Sequence, residues 1–251
     1  MTRSFQEVER ALYLHRSGLN QCQIARVLGI PRGTIREWIA PGYQRLRRPG
    51  CFRCDVVAPP NIDDYAYLLG LYLGDGYLTL GPRGVWRLRI FQDKRYVDLI
   101  ERCATVIGAV SRTGVQRVPQ VGCVAISSHW KHWIHVFPQH GPGPKHARAI
   151  ALEPWQQMIV ASRPRDFLAG LIHSDGCRSK NTIKHNRPNG TLRLYVYPRY
   201  QFTNASNDIR RLFTDTCDLL GVGWTQTKPR NVAVSRRVDV EFLDTFIGPK
   251  S

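Results

Sequence analysis

The sequence predicts an α+β protein in which a small all-helical unit precedes one αββαββα unit performed twice. Three observations predict it. The first 48 residues carry apolar positions at helical spacing. Further on, "YLLGLYLGDG" ending at Gly76 returns as "FLAGLIHSDG" ending at Gly176, so that Leu68, Gly70, Leu71, Asp75 and Gly76 match Leu168, Gly170, Leu171, Asp175 and Gly176 at an offset of 100. Behind each copy the chain alternates with period two and then turns helical again.

Residues 1–48 open with "SFQEVERALYLHRSG", a helix closed by Gly18. In "LNQCQIARVLGIPRGTIREWI" the residues Ile24, Ala25 and Leu28 form one short apolar face, Gly29 permits a tight turn, and Thr34, Ile35 and Trp38 belong to the next helix. The segment resembles the helix-turn-helix units of bacterial repressors and transposases. On that reading Arg32, Thr34 and Arg36 lie where a recognition helix meets base edges and phosphates. A three-helix unit that docks on protein is the competing reading. Residues 49–62, rich in Pro and Arg next to "CFRC", read as a linker. Cys51 and Cys54 have zinc-knuckle spacing, but a tetrahedral site needs four ligands and no second pair follows.

The first repeat is expected over 63–145, an inter-repeat linker with a helix over 146–165, and the second repeat over 166–251. After each motif, "VWRLRIFQ" sets Trp86, Leu88 and Ile90 against Arg87 and Arg89, and "LRLYVYPRYQF" sets Leu192, Leu194 and Val196 against Arg193, Tyr195 and Tyr197. One apolar face and one Arg or Tyr face describe a sheet packed on one side only. Helices then follow in "RYVDLIERCATVIG" and "DIRRLFTDTCDLLG", closed by Gly108 and Gly221. "VAIS" at 124 answers "VAVS" at 232, and "GPK" at Lys145 recurs at Lys250. In "SSHWKHWIHVFPQHGPGPKH" an amphipathic helix burying Trp130, Trp133, Ile134 and Phe137 is preferred to a zinc site on His129, His132 and His135, which have no acidic or cysteine ligand beside them.

Charge narrows the partner. With 36 Lys and Arg against 19 Asp and Glu the net charge is +17, and residues 1–48 alone carry +6. A field of that sign favours a polyanion, double-stranded DNA above all. Arg87, Arg89, Arg193, Tyr195, Tyr197, Arg199, Lys228 and Arg230 are the expected contacts beside those of the first unit. No apolar run reaches membrane-helix length, and the N-terminal residues lack a signal-peptide layout, so the expected location is the cytoplasm, on the nucleoid when DNA is bound.

Gly70 and Gly74 are four apart, as are Gly170 and Ser174, which gives each motif helix a groove where the other's backbone can approach. Packing the two helices on each other brings Asp75 and Asp175 together. A helix C-terminus is already partly negative, and a second carboxylate adds repulsion, so a cation is needed. A divalent ion with oxygen ligands, Mg2+ most simply, meets that need.

With both motifs in view, residues 63–251 resemble the LAGLIDADG homing endonuclease family in its two-motif, single-chain form. The resemblance implies two pseudo-symmetric repeats with saddle-shaped antiparallel sheets on DNA, a monomer with an internal pseudo-twofold axis, and Mg2+-dependent cutting of both strands. It implies metal ligation by Asp75 and Asp175, a carboxamide after the long strand at Gln92 and Asn204, and a basic residue at Lys145 and Lys250. The sequence departs from the motif at Leu73 and His173, where the family name carries an earlier Asp. A DNA-binding transcriptional regulator built on the same scaffold, joined to a helix-turn-helix and not cutting, is the competing function.

Overall fold

The computed structural model describes residues 5–40, 61–186, 192–248 and 250. It comprises two compact units, Met1–Gly50 and Cys51–Ser251. Among the described residues no helix is long and apolar enough to cross a membrane.

In the first unit α1 (Phe5–Arg16), α2 (Gln21–Leu28) and α3 (Arg32–Ile39) enclose Val8, Ala11, Ile24, Ile30, Ile35 and Trp38. Its turns are chemically specified. The Asn20 side chain accepts from the Cys22 and Gln23 amides at 3.0 Å while Gln23 returns a bond to the Asn20 amide, a reciprocal cap that starts α2. Gly29, at φ +64°, ends it, and the Ile30 amide reaches back to the Ala25 carbonyl at 3.1 Å. Pro31 then precedes α3. The burial of Ile35 and Trp38 leaves Arg32, Arg36 and Glu37 exposed and Thr34 half-buried.

The second unit is built on two helices, α4 (Ile62–Asp75) and α8 (Pro164–Asp175). Every residue from Tyr65 to Leu73 is buried, because α4 is enclosed on all sides by its partner helix, its own sheet and the remaining helices. Each apolar side chain in that run contributes about 1.5–3 kcal/mol by leaving water. The crossing point is main chain on main chain. A Cβ at Gly70 would lie 2.5 Å from the Phe167 carbonyl oxygen and 2.7 Å from the Leu171 nitrogen, and one at Gly170 would lie 3.0 Å from the Gly70 Cα. No side chain fits at either position.

Each motif helix runs directly into an edge strand. β1 (Gly76–Leu80) pairs with β2 (Trp86–Asp93), followed by α5 (Val97–Ser111), β3 (Val115–Pro119), β4 (Cys123–Trp130) and α6 (Trp133–Val136). After α7 (Pro154–Ser162) and α8 come β5 (Gly176–Asn186), β6 (Leu192–Thr203), α9 (Asn207–Leu219), β7 (Thr225–Lys228), β8 (Asn231–Val234) and α10 (Arg237–Asp244). Both sheets are antiparallel with the same order, β1-β2-β4-β3 and β5-β6-β8-β7. The order of elements expected from the sequence is the one observed, and the fold class is α+β.

Three expectations fail locally. Gly108 does not close α5: the helix continues to Ser111, and Arg112 closes it in the left-handed region at φ +53°, its amide bonded to the Gly108 carbonyl at 2.7 Å. The histidine-rich stretch is not one amphipathic helix. Trp130 still pairs with Trp86 in the sheet, the helix is the single turn α6, and Trp133 and Phe137 are buried while Trp130 and Ile134 are half-buried. Finally, Leu192, Leu194 and Val196 share the inner face of β6 with buried Tyr200 and Phe202, yet they are 54–55% exposed. β6 pairs with β8 only from Tyr200 to Thr203, so these three residues extend past the core that their pattern predicts they cover.

Candidate active site

The site forms where α4 and α8 end. Asp75 and Asp175 close their helices, and a Cβ at Gly74 would stand 3.0 Å from Asp175 Oδ2, so the carboxylate of one motif helix lies against the last turn of the other. Burial pushes the Asp75 carboxyl up to about 7, with the negative charge of Asp175 adding to the rise and Lys250 and Lys145 opposing it. Asp175 is also raised by burial, against the Asn204 hydrogen bond and the two lysines.

The sheets supply the carboxamides at equivalent register. Gly76 faces Ile90 and Gly176 faces Phe202, so Gln92 and Asn204 each lie two residues beyond the partner of the glycine that follows the aspartate. Their environments differ. Asn204 donates from Nδ2 to Asp175 Oδ2 at 2.5 Å and accepts the Ser206 amide on Oδ1 at 2.7 Å. Gln92 is 4% exposed, and its Nε2 has no hydrogen-bond partner among the described residues.

Lys145 and Lys250 approach the carboxylates from opposite halves and are engaged by the helices themselves. Lys145 Nζ donates to the carbonyls of Leu73 and Gly74 at 3.0 Å each, and to that of Tyr72. Lys250 Nζ donates to the Ser174 carbonyl at 3.2 Å and to that of Gly176. Each ammonium therefore caps the negative end of a motif helix one turn or less from its aspartate. Burial lowers the Lys145 ammonium to about 8, with Asp175 and Asp75 holding it up and Arg148 depressing it further. Lys250 is lowered by burial while Asp75, Cys177 and Asp175 oppose the change.

An open cleft of about 670 Å³ lies over this arrangement, lined among others by Asp75, Asp175, His140, Lys145, Arg148 and Asn204. His140 and Arg148 were not singled out by sequence reasoning. Both flank Lys145 in a stretch of Gly and Pro whose path has no periodicity to read. His140 is held below its ordinary pKa by burial and then by Arg148 and Lys145, which favours the neutral imidazole.

The loop bearing Lys145 is tied down at three points. Gln139 Nε2 donates to the Ala151 carbonyl at 2.9 Å and to Gln156 Oε1 at 2.5 Å, and the Ile150 amide donates to Asp208 Oδ2 at 2.8 Å. Gln156 in turn donates to the Tyr65 hydroxyl inside α4.

The outer faces of both sheets carry the residues expected to meet DNA. Arg87 and Arg89 alternate with buried Leu88 and Ile90 and lie beside Tyr77 and Ser127, to which they donate. Arg193, Tyr195, Tyr197 and Arg199 occupy the outer face of β6. Lys228 lies opposite Asn231 at the end of β7, and Arg230 is exposed in the following turn. Cys51 and Cys54 lie outside the described residues. Among the described residues no three His, Cys, Asp or Glu side chains gather as a metal-binding cluster.

No family model and no curated protein matches the sequence. Among solved structures, the chain is similar to mesophilic variants of the homing endonuclease I-DmoI (TM-score 0.48, 15% identity, 74% of this chain and 96% of that one). It is also similar to the LAGLIDADG homing endonuclease I-SmaMI bound to cleaved DNA (0.47, 12%, 74% and 83%). A third similar structure is the LAGLIDADG meganuclease I-AabMI bound to uncleaved DNA (0.46, 14%, 72% and 82%). At these TM-scores and identities the fold of this chain stands on its own topology.

Proposed function

We propose, from the premise that this chain has the two-repeat LAGLIDADG fold, that it is a site-specific endonuclease of double-stranded DNA that uses a divalent cation, Mg2+ most simply. The observation that supports it is the apposition of Asp75 and Asp175 at two helix ends beneath an open cleft. Two half-buried carboxylates raised by desolvation, one of them also by its neighbour, form an all-oxygen donor pair that a cation would satisfy. Asp75 and Asp175 would hold it, and when bound it would supply Lewis acidity toward a phosphodiester.

The chain's own residues do the rest. Asn204 fixes one oxygen of Asp175 by donating to it, leaving the other oxygen for the cation. Lys145 and Lys250 neutralise the helix ends so that the carboxylates can ionise side by side, and their positive charge faces the negative charge that develops on phosphate during attack. The outer faces hold the duplex through Arg87, Arg89, Arg193, Arg199, Lys228 and Arg230, with Tyr195 and Tyr197 between them. The first unit presents Arg32, Thr34 and Arg36 on α3 as a second, separate DNA contact.

The test compares the intact chain with Asp75→Asn and Asp175→Asn on duplexes selected by binding, with Mg2+ present. Cutting is expected to slow by orders of magnitude in both variants while binding persists or tightens. An intact chain that binds tightly and never cuts would instead make this a DNA-binding regulator.

A further inference from the structure

We infer that the chain reads its duplex unequally, through a two-stranded ribbon that only the second repeat possesses. The inference rests on the DNA-binding reading above and adds which side of the target is longer and which residues lengthen it.

In the first repeat β2 is paired along its whole length, from Trp86 to Asp93, with β4, so nothing projects from that sheet. In the second repeat β5 and β6 share eleven register pairs, from Gly176↔Phe202 to Asn186↔Leu192. Only the pairs from Gly176 to Arg178 lie within the four-stranded sheet, because β6 meets β8 from Tyr200 to Thr203 alone. The eight pairs from Ser179↔Arg199 to Asn186↔Leu192 stand clear of it as a bare hairpin. At about 3.4 Å per residue that ribbon is roughly 25 Å long, the span of about seven base pairs. A two-stranded ribbon has the width that the major groove of duplex DNA admits.

Its two faces are chemically distinct. On the outer face, continuous with that of the sheet, the Arg193 guanidinium lies 4.7 Å from the Tyr195 ring centroid, and Tyr195 and Tyr197 stack at 6.1 Å with their planes 4° apart. Arg199, Ser179 and Asn181 continue that face toward the sheet. This is a row of cationic and hydroxyl donors held rigid by stacking, suited to phosphates and base edges. On the inner face the apolar Leu192, Leu194 and Val196 are exposed along β6, and β5 contributes Lys180, Thr182 and Lys184 there. Recognition is assigned to the outer face because stacking orders the donors of β6 there.

The test selects bound duplexes from a random library in EDTA with the intact chain, then maps protection by hydroxyl-radical footprinting. The triple variant Arg193→Ala, Tyr195→Ala, Tyr197→Ala is expected to lose protection over about five to eight base pairs at one end only, with affinity lowered about 10- to 100-fold. The centre and the opposite end should remain protected. A second variant, Leu194→Ser with Val196→Ser, changes the inner face of the same ribbon and should leave the footprint unaltered. Thermal melts of both variants verify that the sheet persists. An unchanged footprint in the triple variant, shortening at both ends, or shortening by the inner-face variant overturns the inference while leaving DNA binding intact. If the intact chain protects no duplex, the DNA-binding reading itself falls, and this inference with it.

Discussion

Gln156 donates from Nε2 to the Tyr65 hydroxyl at 2.8 Å, joining the helix between the repeats to the first motif helix. The same carboxamide accepts from Gln139 Nε2 and from the Glu153 amide, and the Tyr65 hydroxyl donates to the Val136 carbonyl at 2.9 Å. Tyr65, Gln139 and Gln156 are buried, Glu153 lies at the surface, and the network anchors the loop that carries Lys145. Gln156→Leu keeps the volume and strands several buried polar groups, so stability should fall by about 1–3 kcal/mol in urea denaturation. The cleavage rate should fall while DNA affinity holds, because Lys145 loses its fixed approach. Loss of stability without loss of rate would confine the network to folding.

Lys145→Met retains the aliphatic stem and removes the ammonium that caps α4. Hydrogen bonds to charged groups contribute about 1.5–3 kcal/mol, so a loss of that size is expected from the bonds to Leu73 and Gly74. The Asp75 carboxyl, which Lys145 now holds down, should titrate higher still. A carbon-detected NMR titration of that carboxyl tests the second effect, and no upward movement would mean that the ammonium does not sense Asp75.

Glycine substitutions separate the seam from the surface. Gly70→Ala places a methyl against the Phe167 carbonyl and the Leu171 nitrogen, both immobile main chain, and should cost about 3 kcal/mol or more. Gly33→Ala, in α3 with nothing within 4 Å, should stabilise the first unit by about 0.5–1 kcal/mol. Two melting curves suffice, and equal effects at the two positions would contradict the close approach of the motif helices.

The pH dependence of stability has a definite sign. Asp75 stands at about 7 in the folded chain against 3.8 as a free side chain. Between those values the folded state binds a proton that the unfolded state does not. The contribution from this group is thus complete below about pH 4 and is lost as pH rises through about 7, at about 1.4 kcal/mol per pH unit within the window. Asp175 is raised as well and reinforces the trend. Without divalent cation the wild type should lose stability across that window relative to Asp75→Asn, and added Mg2+ should flatten the difference. Parallel profiles for the two proteins would show that the carboxylate is not strained.

The motif helices, their glycines and the paired aspartates were legible because a repeat makes each feature visible twice. Two copies of one spacing fix the phase of a helix in a way that a single "DG" cannot. What escaped was whatever breaks the repeat. Gly108 and Gly221 stand at matching places in the sequence repeat, yet only Gly221 follows its helix and adopts positive φ; Gly108 lies within α5, and Arg112 takes that place in the first repeat. The alternation in β6 correctly assigned its two faces, but periodicity reports direction and not how far a neighbouring strand extends. The exposure of Leu194 could not be read from it. His140 and Arg148 come to the cleft along a loop whose course depends on buried amide bonds from Gln139 and Gln156, residues ordinarily met at surfaces.

The main-chain contact between Gly70 and Gly170 has a consequence for how such a molecule can change. A methyl group added there displaces both halves at once, so the centre tolerates almost no drift. The paired residues of β5 and β6 beyond the four-stranded sheet meet no such restriction. Register pairs can be gained or lost there in twos, preserving which face looks outward, while Gly176 and the carboxylate before it stay in place. Two halves that match at their seam and differ in reach are the expected outcome of a duplicated unit under those unequal constraints: the inheritance of the chemistry is rigid, and the inheritance of its range is free.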